Sequence, residues 1–247
     1  MRDRILGWDG CRNVRDLGGL PTEDGGETRF GRVVRSDNVC MLTEAGRDAV
    51  VEYGISRIVD LRWTPEIQDD GPTGLPIEVV HVELLGRRDG VFSEIDARVR
   101  DLDDPVERRS TAYRAFLEHF AENFGAAVGA VATAPDGPVL VHCAGGVDRT
   151  GLVCALLLRL ADVGLTEIGT DYAESERSWA PHVQSWIEEA PDAAERKHRR
   201  LLSLCPQQAI VTVLEELEAR HGSVEEYLLA AGATAEELER AQARLRD

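Results

Sequence analysis

A ten-residue segment, HCAGGVDRTG at positions 142–151, combines the residue types needed to bind an anion and attack it. The apolar stretch PVLVHC predicts a buried strand before it, and TGLVCALLLRLADVG predicts a buried helix after it. A loop between a strand end and a helix start can turn backbone N–H groups inward, and the helix dipole adds positive potential there. The loop predicted to bind a phosphate group comprises Ala144, Gly145, Gly146, Val147, Asp148 and Arg149.

Cys143 stands at the start of this loop, where an electropositive environment favours the nucleophilic thiolate form of a cysteine. Arg149 falls on the first turn of the predicted helix, and its planar fork can bind two phosphate oxygens at once. Thr150 can donate its hydroxyl to the sulfur, and His142 is expected to orient the loop through hydrogen bonds of its ring. These four residues predict nucleophilic chemistry on a bound phosphate.

The rest of the chain predicts strands that alternate with helices, which is typical of an α/β fold with a mostly parallel central sheet. Short buried strands are expected over 56–62 and 77–85, and short strands and loops over 8–36. The loop that carries Cys143 should therefore lie at one edge of that sheet.

Helices are predicted to flank this sheet. Thr43 is expected to cap a helix that ends at Gly54. Apolar residues at helical spacing predict one long helix from Tyr113 to Val131, and a short helix is expected over 166–176.

The chain 1–247 is expected to form one domain, because its length suits a single core. Residues 178–205 are polar, match no strand of the sheet, and predict a helical insertion that could close over the site as a lid. Residues 206–247 predict two or three amphipathic helices packed on the domain.

Composition and charge exclude several classes of partner. The net charge of −17 disfavours nucleic acid and acidic membranes. The sequence contains neither a run long enough to span a membrane nor a signal peptide, which predicts a cytoplasmic protein without stable membrane association. An odd number of cysteines without a C-x-x-C pair argues against disulfides and a zinc site. No feature of the sequence indicates an oligomeric state.

The pattern H-C-x5-R-T of 142–150 is the signature of the protein tyrosine phosphatase superfamily. The fuller H-C-x-x-G-x-D-R-T-G resembles its atypical bacterial and fungal branch, which includes secreted mycobacterial phosphatases and dual protein and phosphoinositide phosphatases. The resemblance extends in order through NVRDLGG (13–19), FGRVVRSDNVCMLTEAGR (30–47), IVDLR (58–62), DYAES (171–175) and GSVEEYLLAAGATAEELER (222–240). About three quarters of the chain resembles this branch.

The resemblance implies a tyrosine phosphatase fold and metal-independent, cofactor-free covalent catalysis through a phosphocysteine on Cys143. Arg149 and the loop amides would hold the phosphate oxygens. The expected substrate is phosphotyrosine in proteins, with phosphoserine and phosphothreonine as further candidates.

The general acid is left open by the sequence. The resemblance proposes an aspartate inside the loop, here Asp148, and we prefer it to Asp89, which follows the second predicted strand. Asp148 could also serve as a helix cap. Arg62 could border the pocket, or pair with Asp60 or Glu66.

Three alternative functions remain to be weighed. A phosphatase of phosphoinositides or small phosphate esters is disfavoured by Val147, because many relatives carry lysine there. An inactive phosphate-binding module would have lost Cys143, Arg149 or the acid, and none is lost. A thiol-redox or sulfur-transfer enzyme would need a resolving cysteine, for which Cys154 is the candidate.

Overall fold

The computed structural model describes residues 3–87 and 90–246, and within them it contains a five-stranded sheet and eleven α-helices. The strands are β1 (Arg15–Asp16), β2 (Val33–Ser36), β3 (Arg57–Asp60), β4 (Glu78–His81) and β5 (Val139–His142). The helices are α1 (Glu44–Tyr53), α2 (Thr64–Asp70), α3 (Val91–Val99), α4 (Pro105–His119), α5 (Ala121–Ala132), α6 (Asp148–Leu160), α7 (Leu165–Glu188), α8 (Ala193–Ser203), α9 (Gln207–His221), α10 (Val224–Ala230) and α11 (Ala235–Arg246). The predicted α/β fold is confirmed.

The strand order of the sheet places β5 at its centre. The order is β1-β2-β5-β3-β4; β1 runs antiparallel to β2, and the other neighbours are parallel. Ser36 of β2 and Asp60 of β3 are both in register with His142, the last residue of β5. Ligands of parallel sheets bind beyond the carboxyl ends of the strands, so the segments after β2, β3 and β5 meet where a site is expected.

The central strands are buried on both faces, as parallel strands usually are. Side chains alternate along each strand, so neighbouring residues enter different clusters of the core. Val34 and Ile58 belong to the cluster that contains Trp8 and residues of α1. Val33 and Val59 belong to the larger cluster, which is formed with α4 to α6 and the C-terminal helices. The strand that leads to Cys143 is therefore held rigidly from both sides.

Helix α1 has the ends that its sequence predicts. The hydroxyl of Thr43 accepts a hydrogen bond from the N–H of Gly46 at 3.2 Å, and Gly54 ends the helix with φ 83°. The C-terminal helices α9, α10 and α11 are also as predicted, and Leu238 and Leu245 of α11 contribute to the larger core cluster.

Two predictions about single elements are wrong. The long helix expected from Tyr113 to Val131 is two helices, α4 and α5, which are separated at Phe120. Phe120 has the non-helical dihedrals φ −118° and ψ 26°, while the apolar spacing continues across it, which explains the prediction. The strand β4 is not buried but lies at the edge of the sheet, because it pairs with β3 alone among the described strands; Glu78, Val79 and His81 are exposed.

The short helix expected over 166–176 is the first half of a longer one. Helix α7 runs for 24 residues and continues through Pro181, although proline lacks an N–H for the backbone ladder. It packs against α9, α8 and α6. The segment 178–205 thus consists of the end of α7 and the whole of α8. Among residues 3–87 and 90–246, no helix is long and apolar enough to cross a membrane.

Candidate active site

The loop 143–148 follows the central strand β5 and leads directly into α6. Cys143 lies at its start with only 2% of its surface exposed. Gly146 has φ 65°, and a Cβ atom there would lie 2.7 Å from the carbonyl oxygen of Ser36, so the loop can close on β2 only with glycine at this position.

The carbonyl oxygens of three successive loop residues are bound by groups outside the loop. Asn38 N–H donates to Ala144 O at 3.1 Å, and Trp179 Nε1 donates to Gly145 O at 2.9 Å. Gly146 O accepts from Asn13 Nδ2 at 3.0 Å and from Arg35 Nη2 at 2.8 Å. Each of these groups keeps its carbonyl directed out of the loop.

The C=O and the N–H of one trans peptide unit point in opposite directions. The N–H groups of Gly145, Gly146 and Val147 therefore point away from these partners, towards the interior of the loop. Successive inward amides form an anion-binding nest, and the N-terminus of α6 adds its positive dipole end. These amide directions make the loop a candidate phosphate site.

Buried arginines support the loop from behind. Arg35 donates to Asp171 Oδ2 at 2.8 Å, and Arg15 donates to Asp171 Oδ1 at 3.0 Å and to Asn13 Oδ1 at 2.6 Å. Burial alone would raise the pKa of Asp171, but Arg15, Arg35 and Arg4 outweigh it and hold that pKa far below its ordinary value. Two fully buried guanidinium groups share this one carboxylate, so a positive charge remains behind the loop.

Arg149 is oriented by the carboxylate of Glu66 on α2. Its Nη1 donates to Glu66 Oε2 at 2.6 Å and its Nη2 to Oε1 at 2.9 Å, while the guanidinium lies 4.2 Å from the ring centre of Trp63. Burial lowers the pKa of Arg149, but the neighbouring Cys143 and Glu66 outweigh this and raise it, so the group stays charged. Glu66 takes the Nη1–Nη2 edge of the guanidinium. Within residues 3–87 and 90–246 no hydrogen bond uses the Nε of Arg149, so the Nε–Nη2 edge can bind two oxygens of a phosphate.

His142 is fully buried at the end of β5. Burial lowers its pKa to about 4, so the ring is neutral at neutral pH despite Asp60 Oδ2 at 3.6 Å. Its Nδ1 lies 3.3 Å from the carbonyl oxygen of Cys143. Thr150 is also fully buried, and its hydroxyl makes no hydrogen bond within residues 3–87 and 90–246. The predicted donation from Thr150 to the sulfur stays a prediction.

Asp148 is the first residue of α6, and 46% of its side chain is exposed. Its Oδ1 accepts hydrogen bonds from Tyr113 Oη at 2.6 Å and from Arg109 Nη1. No hydrogen bond of the described residues ends on Oδ2, which is therefore the oxygen able to exchange a proton with a bound ligand. The structure thus brings Asp148 to the same loop as Cys143 and Arg149.

Arg62 makes no hydrogen bond to the loop. Arg62 is buried and its guanidinium binds Asp60 at 2.7 Å, Asp70 at 2.9 Å and Asn38 at 3.1 Å. Of the two pairings expected for it, it makes the one with Asp60, and Glu66 binds Arg149 instead. Asp89 lies outside the described residues.

A cavity of about 490 Å³ lies between the loop and the segment 178–205. Ala144, Gly145 and Val147 form its floor, and Trp179 and Trp186 of α7 form much of its wall. Leu202, Ser203 and Cys205 close it from the end of α8. The guanidinium of Arg12 lies 5.2 Å from the ring centre of Trp179. The segment 178–205 therefore covers a chamber with an aromatic wall. Ala144, Gly145 and Val147 of the loop belong to its lining, whereas Cys143, Asp148 and Arg149 do not.

Sequence reasoning missed several residues that build the loop. Asn13 binds the loop, and Arg15 binds the carboxylate that supports it. Glu66, Arg109, Tyr113 and Trp179 gave no local signal. The segments NVRD (13–16) and DYAES (171–175) did give a local signal. Each places charged residues beside apolar ones in a region that resembles the phosphatase branch.

No three His, Cys, Asp or Glu side chains within the described ranges come together in a way that could hold a metal ion. Metal-independent chemistry stays a prediction from the resemblance.

A buried thiol in an amide-lined loop, next to a guanidinium with one open edge, is an arrangement suited to cleaving a phosphate ester.

Comparison with known proteins agrees with this interpretation of the site. The tyrosine phosphatase family profile matches residues 6–247. A tyrosine-protein phosphatase of Nostoc commune is 29% identical over 230 residues, which cover 86% of this chain and 73% of that protein. The triple specificity protein phosphatase PtpB of Mycobacterium tuberculosis is 28% identical over 251 residues, which cover 92% and 87%.

The chain therefore belongs to the tyrosine phosphatase family, as its sequence predicts. Its activity is that of a protein-tyrosine phosphatase, with phosphoproteins as substrates.

Proposed function

We propose that this enzyme cleaves phosphotyrosine through a phosphocysteine intermediate on Cys143, with Arg149 and the loop amides as the phosphate clamp and Asp148 as the general acid. One observation carries the proposal. The carbonyl groups of Ala144, Gly145 and Gly146 are hydrogen-bonded to partners outside the loop. The N–H group of each following residue therefore points into the loop that begins at Cys143, beside the open edge of Arg149.

The first step forms a sulfur–phosphorus bond and breaks the bond between phosphorus and the tyrosyl oxygen. The thiolate of Cys143 supplies the electron pair, and the proton on Asp148 moves to the leaving oxygen. The equatorial oxygens of the transition state lie among the loop amides and Arg149, which stabilise their charge without reorganisation.

The second step hydrolyses the phosphocysteine. Water attacks the phosphorus, the sulfur leaves as thiolate, and Asp148 accepts the proton that the water loses. Inorganic phosphate then departs, and both side chains are back in their starting protonation states. The buried, neutral ring of His142 supports this scheme as an orienting group rather than as a base.

The family match and the relative from Nostoc commune, which is named a tyrosine-protein phosphatase, support phosphotyrosine as the main substrate. Phosphoserine and phosphothreonine remain further candidates, since the M. tuberculosis relative is named a triple specificity enzyme. Val147 adds no charge to the chamber floor, which disfavours inositol lipids.

We also propose that the chain acts as one domain in a reducing compartment, the cytoplasm. Larger-cluster residues range from Leu17 to Leu245, which supports a single unit. All five cysteines are free thiols, which supports a reducing environment. In this arrangement 178–205 is the lid-like part and 206–247 a helical part of the same core.

A panel of phosphotyrosyl, phosphoseryl and phosphothreonyl peptides and inositol phosphates tests the proposal, with wild type and Cys143→Ser in parallel. Cys143→Ser should lose turnover and still bind phosphate. Retained turnover in that variant would rule out the covalent mechanism, and a preference for inositol phosphates would overturn the substrate assignment.

A further inference from the structure

Arg109 of α4 joins three separate parts of the molecule. Its Nε donates to the carbonyl oxygen of Leu204 and its Nη2 to that of Leu202, both at 2.6 Å. Its Nη1 donates to the hydroxyl of Tyr113 at 2.9 Å and to Oδ1 of Asp148. One guanidinium thus connects the end of α8 with Asp148, the first residue of α6.

The guanidinium transmits position because it is planar and rigid. Two carbonyl oxygens on Nε and Nη2 fix the plane and rotation of the group, and these fix the direction of Nη1. Arg109 is only 4% exposed, so its charge has little water to compensate it and depends on these acceptors. Moving the carbonyls at the end of α8 would therefore move or weaken its bond to Asp148.

Asp148 needs such an anchor because almost half of its side chain is exposed. An exposed carboxylate ordinarily samples several rotamers, and a general acid must stay within hydrogen-bond reach of one oxygen. Tyr113 supplies the second anchor, and its hydroxyl lies 2.7 Å from that of Tyr172. Both anchors bind Oδ1, so Oδ2 is held at a defined place and remains able to carry the proton.

We propose that Arg109 is a positioning residue for Asp148, and that the end of α8, through the carbonyl groups of Leu202 and Leu204, sets its position. The proposal rests on the acid role proposed above for Asp148. It makes the segment 178–205 a structural contributor to protonation of the leaving group, in addition to being a cover for the chamber.

Arg109→Lys tests the proposal, because lysine keeps the charge but cannot bind two carbonyls and a carboxylate in fixed directions. Tyrosyl oxygen is a poor leaving group that needs a proton, whereas p-nitrophenolate leaves readily without one. We expect kcat/KM to fall about tenfold for phosphotyrosine, which corresponds to the loss of one charge-assisted hydrogen bond. For p-nitrophenyl phosphate we expect kcat/KM to fall by less than about twofold. A structural defect would lower both rates equally.

The matched control is Arg108→Lys. Arg108 is the adjacent buried residue of α4 and also binds α8, through His198 Nδ1 at 2.7 Å, but it has no hydrogen bond to Asp148. Arg108→Lys should leave unchanged the ratio of kcat/KM for phosphotyrosine to kcat/KM for p-nitrophenyl phosphate. If urea titration shows that Arg109→Lys is not folded, Arg109→Gln replaces it, because glutamine keeps a smaller hydrogen-bond donor.

A double-mutant cycle with Asp148→Asn separates this inference from the function on which it rests. The inference predicts that Arg109→Lys has no further effect on the substrate ratio once Asp148 is asparagine. Additive effects, or an equal loss on both substrates, would overturn it while leaving Asp148 as the acid. If Asp148→Asn itself leaves the substrate ratio unchanged, the acid role and this inference both fail, while loss of turnover in Cys143→Ser would still support the phosphocysteine mechanism.

Discussion

Glu66 and Arg149 form a two-point ion pair, with both terminal nitrogens of the guanidinium on the two carboxylate oxygens at 2.6 and 2.9 Å. Glu66 is in turn fixed by the N–H of Trp63, which donates to its Oε2 at 2.7 Å at the start of α2. The pair therefore ties the orientation of the proposed phosphate clamp to the segment after β3. Glu66 orients Arg149 and leaves its second edge open.

Glu66→Gln should lower kcat/KM for phosphotyrosine about tenfold, because a neutral amide holds the guanidinium less firmly than a carboxylate does. The inhibition constant of vanadate should rise in parallel, since it reports phosphate-site geometry without chemistry. Glu83→Gln is the control: Glu83 accepts from the N–H of Thr64 at 3.0 Å in the same region and has no hydrogen bond to Arg149. An increase in kcat/KM for Glu66→Gln would mean instead that Glu66 competes with the substrate.

Gly146→Ala should be strongly destabilising and should abolish activity. The residue has φ 65°, and a Cβ would meet Ser36 O at 2.7 Å, so the loop must either shift or lose its contact with β2. We expect a loss of about 2 kcal/mol or more in the free energy of unfolding, measured in urea. The neighbouring Gly145→Ala is the control for stability, because its Cβ would meet only Val147 Cγ2, at 3.9 Å. Equal stabilities of the two variants would contradict the close approach.

The fold and the central motif could be predicted from sequence because both leave local signals. Strand and helix periodicities give the α/β order, and the segment from His142 to Thr150 carries its chemistry within nine positions. The break at Phe120 was missed because apolar spacing is the same on both sides of it. The exposure of β4 was missed because strand order, and not composition, decides which strand is at the edge.

The supporting residues could not be predicted, since they are far from the loop in sequence. Arg35 and Gly146 are 111 positions apart, and Arg15 and Asp171 are 156 apart. Such pairs follow only from the topology, which brings the end of β2 and the start of α7 to the loop. A buried arginine also cannot be told from a surface arginine in sequence. Charged residues are almost never fully buried unless they are paired, and the partner here is distant along the chain.

Trp179→Phe should lower kcat/KM about fivefold, because it removes the indole donor to Gly145 O and keeps an aromatic ring on the chamber wall. The loss corresponds to one neutral hydrogen bond and should be seen with phosphotyrosine and p-nitrophenyl phosphate alike, since the loop and not the acid is affected. Trp186→Phe is the comparison, because Trp186 lines the same chamber and its indole binds no loop carbonyl. Equal losses in the two variants would assign the effect to the wall rather than to the loop.

The stability of the protein should fall as the pH drops from 6.5 towards 4, because of His142. Burial lowers the pKa of this ring from its ordinary 6.5 to about 4, so between these values the unfolded chain binds a proton that the folded chain does not. This group alone should remove about 2 kcal/mol of unfolding free energy between pH 7 and pH 5. His142→Asn, compared with wild type in urea at both pH values, should lack that part of the pH dependence. An unchanged dependence in His142→Asn would show that the folded state takes up the proton as readily as the unfolded chain.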